Sequence, residues 1–268
     1  MASISSTFAE LRSKGQIGLV PFVPAGYPDL ATTQALLPAM EEAGASVIEI
    51  GIPFSDPIAD GPTIQTAFTA ALAKGLKLAE VFEAVRQARG KVSIPLVAMV
   101  SYSIPFRYGV EKFCAEAKRA GFDGVIFPDL PPPEGGSVAA AVKAAGLENT
   151  LLIAPTTSPA RRKTIAALCT GFVYYLSVAG ITGERDKLPA DLEENLKQIR
   201  SLTDRPICVG FGISKPEHLA QLAGKADGAI VGSAIVKRIT QALASSAGPD
   251  QVAREIGAYC RELLSKVR

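Results

Sequence analysis

Short apolar runs, rich in β-branched and aromatic residues, recur along the chain with helically spaced stretches between them. The runs predict strands over 18–23, 47–50, 95–100, 124–127, 150–153, 172–176, 206–209 and 228–231. None alternates strictly between apolar and polar positions, which is the pattern of strands buried on both faces in a parallel sheet. Helical spacing predicts helices over 32–43, 63–73, 79–88, 110–120, 136–145, 159–168, 192–202, 216–222, 233–244 and 251–267. The stretch 1–15 lacks the apolar core of a secretory leader and reads as a short amphipathic helix. Ala43-Gly44, Ala120-Gly121 and Ala145-Gly146 each stand just before a strand, where glycine ends a helix in the left-handed conformation at no Cβ cost.

Eight strand-then-helix units with right-handed crossovers have one common closed solution, the (β/α)8 barrel of the α/β class, here with extra helices at both ends. A length of 268 residues would suit two domains, yet barrels of this kind run to about 250 residues, and one domain over 1–268 is expected. An open doubly wound sheet is disfavoured, because the turn after the first strand reads Pro21-Phe22-Val23-Pro24-Ala25-Gly26 instead of G-x-G-x-x-G. Pro131-Pro132-Pro133 reads as a loop entering a helix, with proline tolerated in the first turn. Composition narrows the function classes. With 48% hydrophobic and 20% charged residues the chain is not disordered, and a formal charge of +2 without basic runs gives no polybasic face for nucleic acid or membrane. No apolar run reaches the ~20 residues of a membrane crossing. Cys114, Cys169, Cys208 and Cys260 are scattered and His218 is the single histidine, so no zinc site of the usual ligand spacing can be written and no metal is expected. Buried reduced thiols suit a cytoplasmic protein.

A barrel carries its active site at the C-terminal ends of its strands. Glu49 is the one charged residue in an otherwise apolar second strand, and its side chain is expected in the barrel mouth, its pKa raised by loss of solvent. A structural carboxylate bonded to backbone or arginine is the plainer reading. Asp56 and Asp60 lie in the following proline-rich loop, where either could brace the loop or cap the next helix. After the seventh strand comes Gly210-Phe211-Gly212-Ile213-Ser214, and after the eighth Gly232-Ser233 opens a helix. Bare backbone N–H groups and a helix N-terminus suit a phosphate there. The polar loop 179–186 after the sixth strand suits a lid. No predicted strand holds a lysine for a Schiff base, and one histidine cannot make a metal aldolase. Acid–base chemistry by carboxylates on a phosphate ester is what remains.

The string from Ile48 to Gln65, with Glu49-Ile50-Gly51-Ile52-Pro53-Phe54-Ser55-Asp56 and Asp60-Gly61-Pro62, closely resembles the signature of the tryptophan synthase α subunit family. The resemblance covers essentially the whole chain, including Phe22 to Pro28, Pro128-Asp129-Leu130-Pro131, Gly180-Ile181-Thr182-Gly183 and the late glycine loops. It implies retro-aldol cleavage of indole-3-glycerol phosphate to indole and glyceraldehyde 3-phosphate. Glu49 would then serve as acid and base at indole C3 and the side-chain hydroxyl, and Asp60 would pair with the indole N–H. By the same resemblance Phe22, Val100, Tyr102, Ile153, Tyr174 and Phe211 would line the indole pocket. Gly183, Gly212, Gly232 and Ser233 would hold phosphate, and Thr182 would tie the sixth loop to Asp60 on closure. No cofactor is implied for this chain. The implied partner is a pyridoxal-phosphate-dependent β subunit that consumes the indole in an α2β2 complex. Two segments depart from the family pattern: Tyr102-Ser103-Ile104-Pro105 stands where an aromatic-Asn-Pro run is usual, and Val178 replaces an arginine. A stand-alone indole-releasing lyase and a silent regulator of the β subunit are the competing readings.

Overall fold

The computed structural model describes residues 2–56, 60–177, 189–210 and 212–268. Within them eight parallel strands close on one another in chain order. They are β1 Gly18–Pro24, β2 Ile48–Gly51, β3 Leu96–Met99, β4 Gly124–Ile126, β5 Glu148–Ile153, β6 Val173–Leu176, β7 Ile207–Gly210 and β8 Gly228–Val231. β1 pairs with both β2 and β8, which closes the barrel. Observed and expected strands differ by a residue or two at their ends, where fraying decides the boundary.

Strand residues alternate between two apolar clusters. Val20, Val97, Ile126, Tyr174, Cys208 and Ile230 fill the barrel, while Leu19, Ile48, Ile50, Val125, Val173 and Val209 face the surrounding helices. Both sides are dry, which is why no strand alternates in polarity. The helix Ile4–Ser13 closes the N-terminal end, with Ile4 and Phe8 belonging to the interior cluster. Glu148 of β5 holds its first turn, accepting from the backbone N–H groups of Ile4 at 2.6 Å and Ser5 at 3.3 Å and from the Ser5 hydroxyl. The helix Pro249–Leu264 packs against Leu30–Glu42 on the outside. No helix among the described residues is long and apolar enough to cross a membrane.

Two local expectations are corrected. The prolines at 131–133 precede the helix Gly135–Ala144 and do not lie in its first turn, because Pro132–Glu134 forms a separate 3-10 turn. The segment after β3 contains an unexpected helix, Ser103–Tyr108. Pro105 is tolerated there because the N–H groups of a first helical turn have no intrahelical partner to lose. The four cysteines are buried and unpaired, and His218 is buried with its Nδ1 accepting from the Ser214 N–H at 3.2 Å.

Candidate active site

Glu49 is on the inward face of β2, opposite Phe22 of β1 and Val97 of β3 in the ladder, between Ile48 and Ile50 on the outward face. It is 1% exposed, and neither carboxylate oxygen has a hydrogen-bond partner among the described residues. A carboxylate deprived of both water and donors is disfavoured as an anion. Burial first, then the negative charge of Asp60, pushes the Glu49 pKa up to about 8. At neutral pH Glu49 is therefore a carboxylic acid. The structural reading of a satisfied barrel carboxylate does not hold, since no described backbone group or arginine reaches it.

Asp60 directly precedes Gly61, the N-cap of the helix Pro62–Ala73. No described side chain caps that helix, so neither Asp56 nor Asp60 serves as its cap. Gln65 Nε2 donates to the backbone carbonyl of Asp60 at 2.7 Å and fixes the main chain at this point. The Asp60 carboxyl is raised to about 6, by burial first and then by Asp129. Asp56 is exposed, whereas Asp60 is partly buried. Both line a small pocket with Phe54, Phe68, Val100 and Asp129. Burial thus agrees with the sequence in setting Asp60 apart from Asp56.

Tyr174 of β6 completes the inner wall. Its hydroxyl is held well above its ordinary pKa by burial and by the charges of Glu49 and Asp60, so the phenol stays neutral beside both carboxyl groups. Two glycines make room for the aromatic rings. A Cβ at Gly51 would lie 2.5 Å from the Phe22 ring, and one at Gly210 would lie 2.5 Å from both the ring and the hydroxyl of Tyr174. Any larger residue would drive these rings out of place. Val100, Tyr102 and Ile153 are buried at the C-terminal edges of β3 and β5, in the same apolar cluster as Phe22.

At the far side of the mouth, Gly212 follows β7 with a left-handed φ of 79°, and Gly232 precedes the helix Ser233–Ala244, which no side chain caps. The N-terminus of a twelve-residue helix carries partial positive charge and suits an anion. The expected residues Thr182, Gly183 and Phe211, with the departing Val178, lie outside the described residues. Asp129 and Ser101 are functional candidates whose roles the sequence did not reveal. The signals in the sequence were the Pro128-Asp129-Leu130-Pro131 string and position, an aspartate three residues beyond a barrel strand.

Comparison with known proteins places the chain among relatives of one family. A family model described as "Tryptophan synthase alpha chain" matches residues 8–268. The chain is 43% identical to the tryptophan synthase alpha chain of Geobacter sulfurreducens, over 98% of each protein. It is 45% identical to that of Chloroflexus aggregans, over 99% of this chain and 98% of that one. Among solved structures, the tryptophan synthase A-subunit of Pyrococcus furiosus superposes with a TM-score of 0.85 at 37% identity, covering 94% of this chain and 98% of that one. A chain from Aquifex aeolicus VF5 superposes with a TM-score of 0.88 at 36% identity over the full length of both. With a family match running through nearly every element of the barrel, this chain belongs to the tryptophan synthase alpha chain family.

Proposed function

We propose that the chain, acting as one barrel domain over residues 1–268, cleaves indole-3-glycerol phosphate to indole and glyceraldehyde 3-phosphate in tryptophan biosynthesis. The observation that carries this reading is Glu49, a buried carboxyl without a hydrogen-bond partner among the described residues, held protonated beside Asp60 at the mouth of the barrel. In the proposed mechanism the Glu49 acid donates its proton to indole C3, and the ring becomes an indolenine with positive charge on nitrogen. That nitrogen is the electron sink, the part a Schiff base plays in other aldolases. The Asp60 carboxylate, with a pKa of about 6, is ionised at neutral pH and accepts the N–H as its charge grows. Glu49, now a carboxylate, takes the proton of the side-chain hydroxyl. The C–C bond breaks, its electron pair restores the indole ring, and the aldehyde forms. Glu49 finishes protonated, so the cycle consumes no net proton.

Phe22, Val100, Tyr102, Ile153 and Tyr174 supply the apolar walls for the indole in this reading. Gly212, Gly232 and Ser233 offer backbone N–H groups and a helix terminus to the phosphate. The chain needs no cofactor of its own. It works in the cytoplasm with a pyridoxal-phosphate-dependent β subunit, in an α2β2 complex that consumes the indole. The test is indole release from indole-3-glycerol phosphate, measured while β subunit is titrated in. Release that rises with β subunit supports the reading. Full release that ignores the β subunit favours a stand-alone lyase, and no release under either condition refutes the enzyme.

A further inference from the structure

One carboxylate at the barrel mouth has no part in the proton transfers above. Asp129 lies just beyond β4, and both of its oxygens are engaged by the segment after β3. Oδ2 accepts from Ser101 Oγ at 2.6 Å, and Oδ1 accepts from the backbone N–H of Tyr102 at 2.7 Å. Ser101 Oγ is in turn 2.9 Å from Ser103 Oγ. A single side chain therefore gathers the first residues after β3 into a fixed turn. That turn sets Tyr102, whose ring meets Phe127 edge-on with centroids 6.2 Å apart. Asp129, Ser101 and Asp60 line one pocket, and the described residues around it include no lysine or arginine.

We propose that Asp129 is a positioning residue for the lyase site, locking the Ser101-Tyr102 turn against the pocket and setting a fixed negative charge beside Asp60. The inference rests on the functional reading above. Asp60 is faced by Glu49 from β2, by Tyr174 from β6 and by Asp129 from the segment after β4, with Asp56 on its own loop. Glu49 and Tyr174 are neutral at pH 7, which leaves Asp129 as the group that raises the proton affinity of Asp60 after burial itself. A carboxylate with higher proton affinity is a stronger acceptor for an N–H that turns positive in the transition state.

The test compares the full-length wild type with Asp129→Asn and Asp129→Ala. Asn keeps an acceptor for the Tyr102 N–H and removes the charge; Ala removes both. The Asp60 carboxyl is followed by 13C NMR titration, assigned by the signal lost in Asp60→Asn, alongside the pH profile of kcat/KM for indole release. In Asp129→Asn the Asp60 midpoint is expected to fall by roughly half a pH unit or more, and the acid limb of the profile should follow it. Asp129→Ala should show the same shift with a further rise in KM as the turn loosens. An unmoved Asp60 midpoint in Asp129→Asn would overturn the proposal, even with activity lowered at every pH. If Asp129→Ala does not fold, the Asn variant alone decides. Because the titration needs no turnover, a wild type that releases no indole would count against the functional reading and leave the effect of the Asp129 charge readable.

Discussion

Glu49→Gln allows the stability consequence of the site to be worked out from the structure. The buried Glu49 carboxyl has a pKa of about 8 in the folded chain, against an ordinary value of 4.5 when solvated. Between these values the unfolded chain gives up a proton that the folded chain keeps, so stability falls as pH rises through this window. Each unit is worth about 1.36 kcal/mol, which makes the deficit about 1 kcal/mol at pH 5, about 3 at pH 7 and about 5 above pH 9. Glutamine has nearly the same shape and cannot ionise, so the variant escapes the deficit. Urea unfolding followed by circular dichroism at constant ionic strength reads the difference. With a slope of about 3 kcal/mol per molar, the variant's midpoint should exceed that of the wild type by about 1 M more at pH 7 than at pH 4. A difference independent of pH between 5 and 9 would refute the argument. Glu49 would then titrate as a solvated carboxyl, and no acid would be poised for C3 at neutral pH. The same variant should lose indole release by about 10⁴-fold or more, since one group serves two proton transfers.

The remaining expectations concern the neighbours of Glu49. The wild-type kcat/KM should be bell-shaped, rising as Asp60 ionises near pH 6 and falling as Glu49 loses its proton near pH 8, which a pH series of the indole assay would check. Asp60→Asn should cut turnover by about 10²-fold or more and, by removing a like charge, lower the Glu49 titration seen in a carboxyl NMR series; Asp56→Asn should do neither. Gly210→Ala should cost about 1–3 kcal/mol in urea unfolding and lower turnover, because the added methyl meets the Tyr174 ring. Glu148→Ala should destabilise the chain by about 1–3 kcal/mol, with faster hydrogen exchange concentrated in the helix Ile4–Ser13.

Most strands were legible because they are short, continuous and apolar, a consequence of burial on both sides, whereas the polar start of β5 at Glu148-Asn149 was not. Glu49 was legible for the same reason, since a lone acid in such a run must point either into the mouth or into the helix layer. Asp60 was favoured over Asp56 by the string from Ile48 to Gln65, but the difference in their burial was not legible, because exposure is set by tertiary placement. Asp129 stood in the Pro128-Asp129-Leu130-Pro131 string, but its role was not legible, because its partners lie 28 and 27 residues away on another turn. The helix Ser103–Tyr108 is too short to show a period. Gly210 read as part of a phosphate loop, yet the structure gives it a further reason, clearance for the Tyr174 ring.

The floor of the barrel has a consequence for how the chain reaches this state. The helix Ile4–Ser13 leaves the ribosome before any strand, yet its first turn is held by Glu148, 144 residues later, and Phe8 rests among residues as late as Ile230. Its seat exists only once the last strand has closed the ring. This helix, made before any strand of the barrel, therefore waits for its full seat until that strand is in place. During that wait Ile4 and Phe8 are exposed apolar groups on a segment with nowhere to settle. A fusion partner placed ahead of this helix would act on the closing step of assembly while leaving the chemistry at the opposite end of the barrel untouched.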